Sequence, residues 1–475
     1  MIHVFFPLAL IISIALYLNK NKLINYSLVI LYALLIWIFT FYQFYHKGET
    51  HFQFFTADAI GLLLLGTLSI VMIPALFHAY RYIKTHFTEP GIRGIFFGSV
   101  TLLLTSISMA YLANHIAVTW IFVEITTLSA SLLIYHHRNQ TALEGTWKYV
   151  FVCAISITFI FIGILFLSLS LKNAGTNDLS FEALYRHASR LDTFWLKMAF
   201  LFIFTGFTAK IGLFPMYTAG IDAKDKAPAP VGALLSSVLM NLGFVGIYRF
   251  YAVVARTDIA EWASKIMLIS AVISIFIAAV YMTRIKNIKR MFAYSSIEHM
   301  GLVILGLAAG GIGIYAAILH LVLHTFIKPG LFFQFNQVYR IYQSKSIYDT
   351  GSYFKYNKTG AMVLLLGFIS ATAMPPSGLF VSELYIFQSL FESHRFILLG
   401  FVALLLTLII WGFGSNIFRL LFTPPLILNE SRLPKIKPWE SLSQFILLAL
   451  AVYAAYMPPK AFVQLLHDSV NLLTN

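Results

Sequence analysis

Long apolar runs recur from one end of this chain to the other, and they leave few folds open to it. Stretches near or above about 18 residues are long enough for a helix to cross a bilayer. About fourteen are visible, beginning near Ile2, Ile24, Thr56, Gly94, His115, Trp147, Trp195, Pro230, Lys265, Phe292, Gly313, Gly360, Phe396 and Ser441. Of the 475 residues, 59% are hydrophobic and only 11% are charged, and the mean hydropathy is +0.81. Soluble domains carry about 25% charged residues, which excludes a soluble fold in practice. No barrel-like alternation is present. The expected fold class is therefore all-α, a polytopic membrane protein of about 14 transmembrane helices.

The first run has neither a basic n-region nor a small-residue cleavage site, so it reads as a retained helix. The single cysteine, Cys153, lies mid-helix and argues against a disulfide framework or an iron–sulfur site. The net charge of +14 would suit a nucleic-acid partner, but its placement points elsewhere. Lys and Arg gather in every second loop, as Lys20 and Lys22, then Arg81, Lys84 and Arg93, then Arg138 and Lys148, then Lys224 and Lys226. Arg284, Lys286, Lys289 and Arg290 follow, then Arg340, Lys345, Lys355 and Lys358, and finally Arg419, Arg432, Lys435 and Lys437. The positive-inside rule makes these loops cytoplasmic and puts both termini on the outer, periplasmic side of the cell (inner) membrane. The basic excess is an orientation signal, and no nucleic-acid partner is expected.

Two of the expected helices are interrupted. The seventh reads FTAKIGLFPMYTAG around Pro215, and the twelfth reads SATAMPPSGLFVSEL around Pro376. Irregular backbone survives at membrane depth only where it is buried or lines a wet cavity. Matched breaks in two halves point to an inverted-repeat transporter. The expected domains are N-terminal helices one to three (1–93), a first five-helix repeat (94–256), a second (264–422) and a C-terminal helix (440–475).

Few charges remain once the loops are set aside. The segment AILHLVLHTFIKPG places His320, His324 and Lys328 four residues apart, on nearly one helix face that drifts by about 40° per step. Each charged group at membrane depth costs roughly 2.5–3.5 kcal/mol, so such a row suggests a path for protons or ions. Histidine titrates near physiological pH and relays through two nitrogens, which suits His299, His320 and His324 to that path. Glu124 lies in VTWIFVEITTLSASLL, Lys210 precedes the first break, and Glu383 follows the second. Glu298 is also at membrane depth but is not singled out as a carrier. An ammonium taken out of water gives up its proton more readily than a hydrated one, so Lys210 is the expected switchable carrier with Glu124 as its modulator. Asp58 opens the third helix near an interface, and His115, His136 and His137 sit at segment ends, where a solvated role is expected. The i,i+4 pair His320 and His324 lacks the glutamate of HExxH, and Lys328 would repel a cation, so no metal is expected. No cofactor signature is present.

The stretches FVEITTLSASLLI, FTAKIGLFPMYTAGIDAKDKAPAPVGALLSSVLM, IKNIKRMFAYSSIEHMG, HLVLHTFIKPGLFF and MPPSGLFVSE resemble the antiporter-like, proton-translocating membrane subunits of respiratory complex I, membrane-bound hydrogenases and multisubunit sodium/proton antiporters. The SSIEHMG and PPSGLFVSE variants look most like component F of hydrogenase-4. The likeness spans residues 94–422. It implies that Glu124 corresponds to the family's helix-five glutamate, Lys210 to its broken-helix lysine, Lys328 with the histidines to its central hydrophilic axis, and Glu383 to the end of that axis. The sequence also departs from the pattern. Asn241 stands where a lysine or histidine is common and would bridge the gap only by holding a water chain. The usual WLPDAH-like segment is AGIDAKDK here, and Pro329 directly after Lys328 is expected to unwind that helix locally.

The resulting expectation is a proton-translocating subunit of a multisubunit oxidoreductase, with no redox centre of its own. Glu124, Lys210, His299, His320, His324, Lys328 and Glu383 would carry the protons. Its partners would be other membrane subunits and the lipid bilayer. The alternatives are a cation/proton antiporter subunit that couples Na⁺, the energising subunit of an inorganic-carbon uptake system, and a proton-inactive scaffold.

Overall fold

The computed structural model describes residues 1–86, 90–425 and 433–474; Arg432 of the last basic loop lies outside them. The chain opens with α1 (Ile2–Leu18) and α2 (Lys22–Tyr45), then a small hairpin pairing Thr50–His51 with Phe55–Thr56. Next come α3 (Ala59–His86), α4 (Pro90–Leu112), α5 (Ile116–Ile134) and α6 (Gln140–Ser170). The short α7 (Phe181–His187) precedes α8 (Thr193–Ile211), α9 (Thr218–Lys226), α10 (Ala229–Leu235) and α11 (Val238–Val254). The later helices are α12 (Ala260–Met282), α13 (Ile288–Ala309), α14 (Ile312–Tyr342), α15 (Tyr353–Tyr356) and α16 (Lys358–Ala371). α17 (Gly378–Glu392), α18 (Phe396–Phe422), α19 (Leu442–Tyr456) and α20 (Lys460–Thr474) complete the order.

Among the described residues, twelve helical segments are long and apolar enough to cross a membrane, and α1 and α16 are shorter apolar helices. The chain is a multi-pass membrane protein. It divides into two compact units, one of Met1–Val231, Val238–Ile266 and Ala461–Asn475, the other of Gly232–Ser237 and Met267–Lys460.

In the first unit α6 lies along α8, α5 packs on α4 and α6, and α11 packs on α8. Gly206 sets the α6–α8 approach, because a Cβ there would stand 2.6 Å from the Ser156 carbonyl oxygen. Without one, the Ser156 hydroxyl donates to the Gly206 carbonyl, the small-residue contact that membrane helices use to come close. In the second unit α14 is central, with α13, α16, α17 and α19 around it. The spanning windows of α13 and α14 are wholly buried, so the polar residues they carry lie in a protein interior.

Both expected breaks are present. α8 stops at Gly212, whose φ of +84° suits glycine and whose N–H closes the helix on the Thr208 carbonyl at 2.8 Å. The chain resumes as a helix at Thr218. α16 stops at Ala371, and α17 restarts at Gly378 with the Ser377 hydroxyl accepting from the Phe380 N–H at 3.3 Å. The Phe214–Pro215 and Pro375–Pro376 peptide bonds are both cis.

Three expectations need correcting, and Asp58 gains a partner that the sequence did not point to. α14 runs unbroken through Pro329; a proline is tolerated there because the helix is packed on several sides by neighbours. His136 is buried rather than solvated, with its ring 4.8 Å from that of Phe96. Lys224, grouped with an exposed basic loop, is only 3% exposed, and Arg93 and Lys289 are buried too. Asp58 is held by Arg249, which donates to its two oxygens at 2.8 and 3.1 Å. Arg249 also donates to the carbonyls of Tyr111 at 2.6 Å and Ala113 at 3.0 Å, satisfying the end of α4.

Candidate functional site

Lys210 sits in the last turn of α8, just ahead of the break, and is 4% exposed. Its ammonium donates to the Thr127 hydroxyl at 2.7 Å, to that of Thr126 at 3.3 Å and to that of Tyr149 at 3.4 Å. The nitrogen also lies 5.6 Å from the Tyr149 ring centroid, within cation–π range. Cys153, one turn beyond Tyr149 on α6, is free and buried beside the same group.

Glu124 is on α5, one turn before Thr127. It is within electrostatic reach of Lys210, but the two make no ion pair within 4.0 Å, and Oε2 of Glu124 is buried without a hydrogen-bond partner. The pair is therefore not a closed salt bridge. The hydroxyls around Lys210 can accept from an ammonium or donate to an amine, so the pocket accommodates both protonation states.

Asn241 on α11 is fully buried and hydrogen-bonds the Tyr111 hydroxyl. Beside it in sequence, Met240 takes the Lys224 ammonium at 3.1 Å from its sulfur. A titratable group from α9 thus reaches α11 at the residue before Asn241. Sequence reasoning missed it because Lys224 lies in a run of charges that reads as a solvated rim.

In the second unit the line on α14 is extended sideways by α13 and α17. His320 Nε2 lies 3.1 Å from His299 Nδ1 on α13, and His320 Nδ1 lies 3.0 Å from the Ser382 hydroxyl on α17. The His324 ring centroid is 5.3 Å from that of His299. Lys328, fully buried, donates to the Ser295 hydroxyl at 2.6 Å. Glu383 follows Ser382 and closes the group, since one donor atom each of His299, His320 and Glu383 lie within 4.8 Å of one another. That set has the chemistry of a metal site, but the spread exceeds the roughly 3.3 Å between ligands of a tetrahedral zinc with bonds near 2.0 Å. The His299–His320 contact has hydrogen-bond length, a spacing across which a proton can pass between the rings.

Thr126, Thr127, Tyr149, Ser295 and Ser382 escape a search for charges, because hydroxyls occur in every helix of the chain. Glu298 was visible in SSIEHMG. It lies on α13, 2% exposed, within electrostatic reach of Lys328.

Residues 113–409 match the family described as NADH:quinone oxidoreductase/Mrp antiporter, TM. The chain is similar to a hydrogenase-4 component F homolog of Methylacidiphilum infernorum, 28% identical over 465 residues, with 93% of this chain and 95% of the relative covered. Among solved structures it is similar to a chain of an archaeal membrane-bound sulfane sulfur reductase, at a TM-score of 0.87 and 19% identity over 100% of this chain and 97% of that one. A chain of respiratory complex I from Thermus thermophilus gives a TM-score of 0.81 at 18% identity, with 100% of both covered.

Proposed function

This chain belongs to the NADH:quinone oxidoreductase/Mrp antiporter family of membrane subunits, and on that premise we propose that it carries protons across the membrane within a larger complex. One observation carries the reading. Lys210 is buried at a helix break and bonded to hydroxyls alone, with Glu124 near but unpaired. A buried ion pair serving packing would be closed, because an uncompensated buried charge is costly; an open one suits a group that changes charge.

In this reading Lys210 is the switchable carrier and Glu124 modulates it. His299, His320, His324 and Lys328 relay, Glu383 ends the route in the second unit, and Asn241 holds a water chain. The likeness to the component F homolog over 93% of this chain supports a hydrogenase-like or respiratory assembly whose partners handle the electrons. The matched breaks support reading the two halves as repeats of one design. The alternation of basic loops supports a cell-membrane location with both termini outside.

The test is proton uptake into vesicles holding the assembled complex, with electron transfer followed in parallel. Lys210→Ala should abolish uptake while the complex still assembles, and uptake at normal rates in that variant would sink the reading. Repeating the assay with and without sodium separates proton transfer from sodium/proton exchange.

A further inference from the structure

We propose that Glu298 carries protons between Lys328 and Glu383 through the cavity between α17 and α18, a second lane beside the histidines. The proposal rests on the proton-translocating reading above and adds a residue and a route to it.

Three observations converge on Glu298. It is buried, and its Oε2 has no hydrogen-bond partner. A carboxyl kept for packing alone would have its oxygens satisfied, as buried polar groups nearly always do. It also shares a neighbour with Lys328. The Lys328 ammonium donates to the Ser295 hydroxyl at 2.6 Å, and Ser295 lies one turn before Glu298 on α13, close enough to interact with its carboxyl. Finally, Glu298 and Glu383 line one cavity of about 240 Å³, together with Thr372, Phe380, Leu384 and Thr407. That is room for several waters at about 30 Å³ each, and two carboxyls give such waters polar partners.

The histidine lane does not use Glu298. His299 bonds His320, and His320 bonds Ser382. Adjacent residues on a helix point about 100° apart, so His299 serves one lane and Glu298 the other. Both lanes end at Glu383 on α17, which lies close to His299 and His320 and within electrostatic reach of Glu298.

The transfer balances without any added reactant. The Lys328 ammonium gives a proton to Ser295 Oγ as the Ser295 hydroxyl proton passes to the Glu298 carboxylate. One N–H and one O–H bond break, and two O–H bonds form. An ammonium and a carboxylate become an amine and a carboxylic acid, and Ser295 is unchanged. The acid then passes its proton through cavity water to the Glu383 carboxylate.

Proton uptake by the assembled complex in vesicles tests this with a set of variants. Glu298→Gln keeps shape and polarity but cannot carry a proton, and uptake should fall measurably, to the rate that the histidine lane carries alone, while electron transfer continues. Glu298→Asp should restore most of the uptake. Ser295→Ala should also lower uptake, Ser295→Thr should not, and Glu298→Gln with Ser295→Ala should be no worse than Glu298→Gln alone, because the two act in series. Infrared difference spectra recorded across pH should lose a carboxyl C=O band in Glu298→Gln, a change that a packing role would not produce. Normal uptake by Glu298→Gln, with uptake lost in Lys328→Ala, would overturn the second lane and leave the proton reading standing. Normal uptake in Lys328→Ala as well would overturn both.

Discussion

The Lys210 ammonium donates to the Thr127 hydroxyl at 2.7 Å, one helical turn from Glu124, and leaves that carboxylate without an ion pair. Lysine and glutamate are thus coupled through space and through a shared helix rather than by contact. The hydroxyl fixes where the ammonium sits, and the carboxyl lies within electrostatic reach of it. Lys210→Arg should not rescue Lys210→Ala in proton uptake, since a guanidinium keeps its proton at any relevant pH. Thr127→Val should lower uptake several-fold without abolishing it, because a hydrogen bond to a charged group contributes about 1.5–3 kcal/mol and two further hydroxyls remain. Full activity in Lys210→Arg would show that only a positive charge is needed there.

Glu124→Gln removes the charge proposed to modulate Lys210 and leaves the bonds of Lys210 to Thr126, Thr127 and Tyr149 in place. The variant complex should assemble, transfer electrons and pump poorly. The informative measurement is protons moved per electron in vesicles; an unchanged ratio would remove Glu124 from the mechanism.

Arg249 and Asp58 should matter for stability instead. Arg249 is buried and bonded to Asp58 and to the Tyr111 and Ala113 carbonyls. Arg249→Ala strands these groups and should cost about 3–5 kcal/mol, seen as a lower unfolding temperature of the purified protein in detergent. Asp58→Asn, which keeps a hydrogen-bonding side chain at a partly exposed position, should cost less. A loss of proton transport in Asp58→Asn at unchanged stability would move Asp58 onto the transport route.

Topology offers an independent check. Reporters fused at Lys286 and at the C-terminus should respond from opposite sides of the membrane, as alternating basic loops require. Responses from the same side would refute the orientation or the helix count.

Much of the fold was legible in the sequence because its causes are local. Apolar length marks a spanning helix wherever it occurs, and Gly212 and Pro215, like Pro375 and Pro376, announce their breaks by backbone chemistry alone. Charged residues at membrane depth are costly enough to stand out, which is how Glu124, Lys210 and Lys328 were found. The unread part depends on neighbours distant in sequence. Nothing near Lys210 in the chain points to Thr127, and nothing near Lys328 points to Ser295. Nothing near Arg249 in the chain points to Asp58 or to the end of α4, which it caps. Pro329 shows the opposite error, a strong local signal overruled by packing on several sides of α14.

That uninterrupted α14 has a mechanical consequence. His320 and Lys328 stand eight positions apart on regular helix, a span of about 12 Å that no hinge can lengthen or shorten. The rod is a stator. In the proposed route, opening and shutting then fall to the side chains that turn against the rod, to the water between them, or to the unwound segments at Gly212 and Pro376, while the helix holds the spacing of His320 and Lys328.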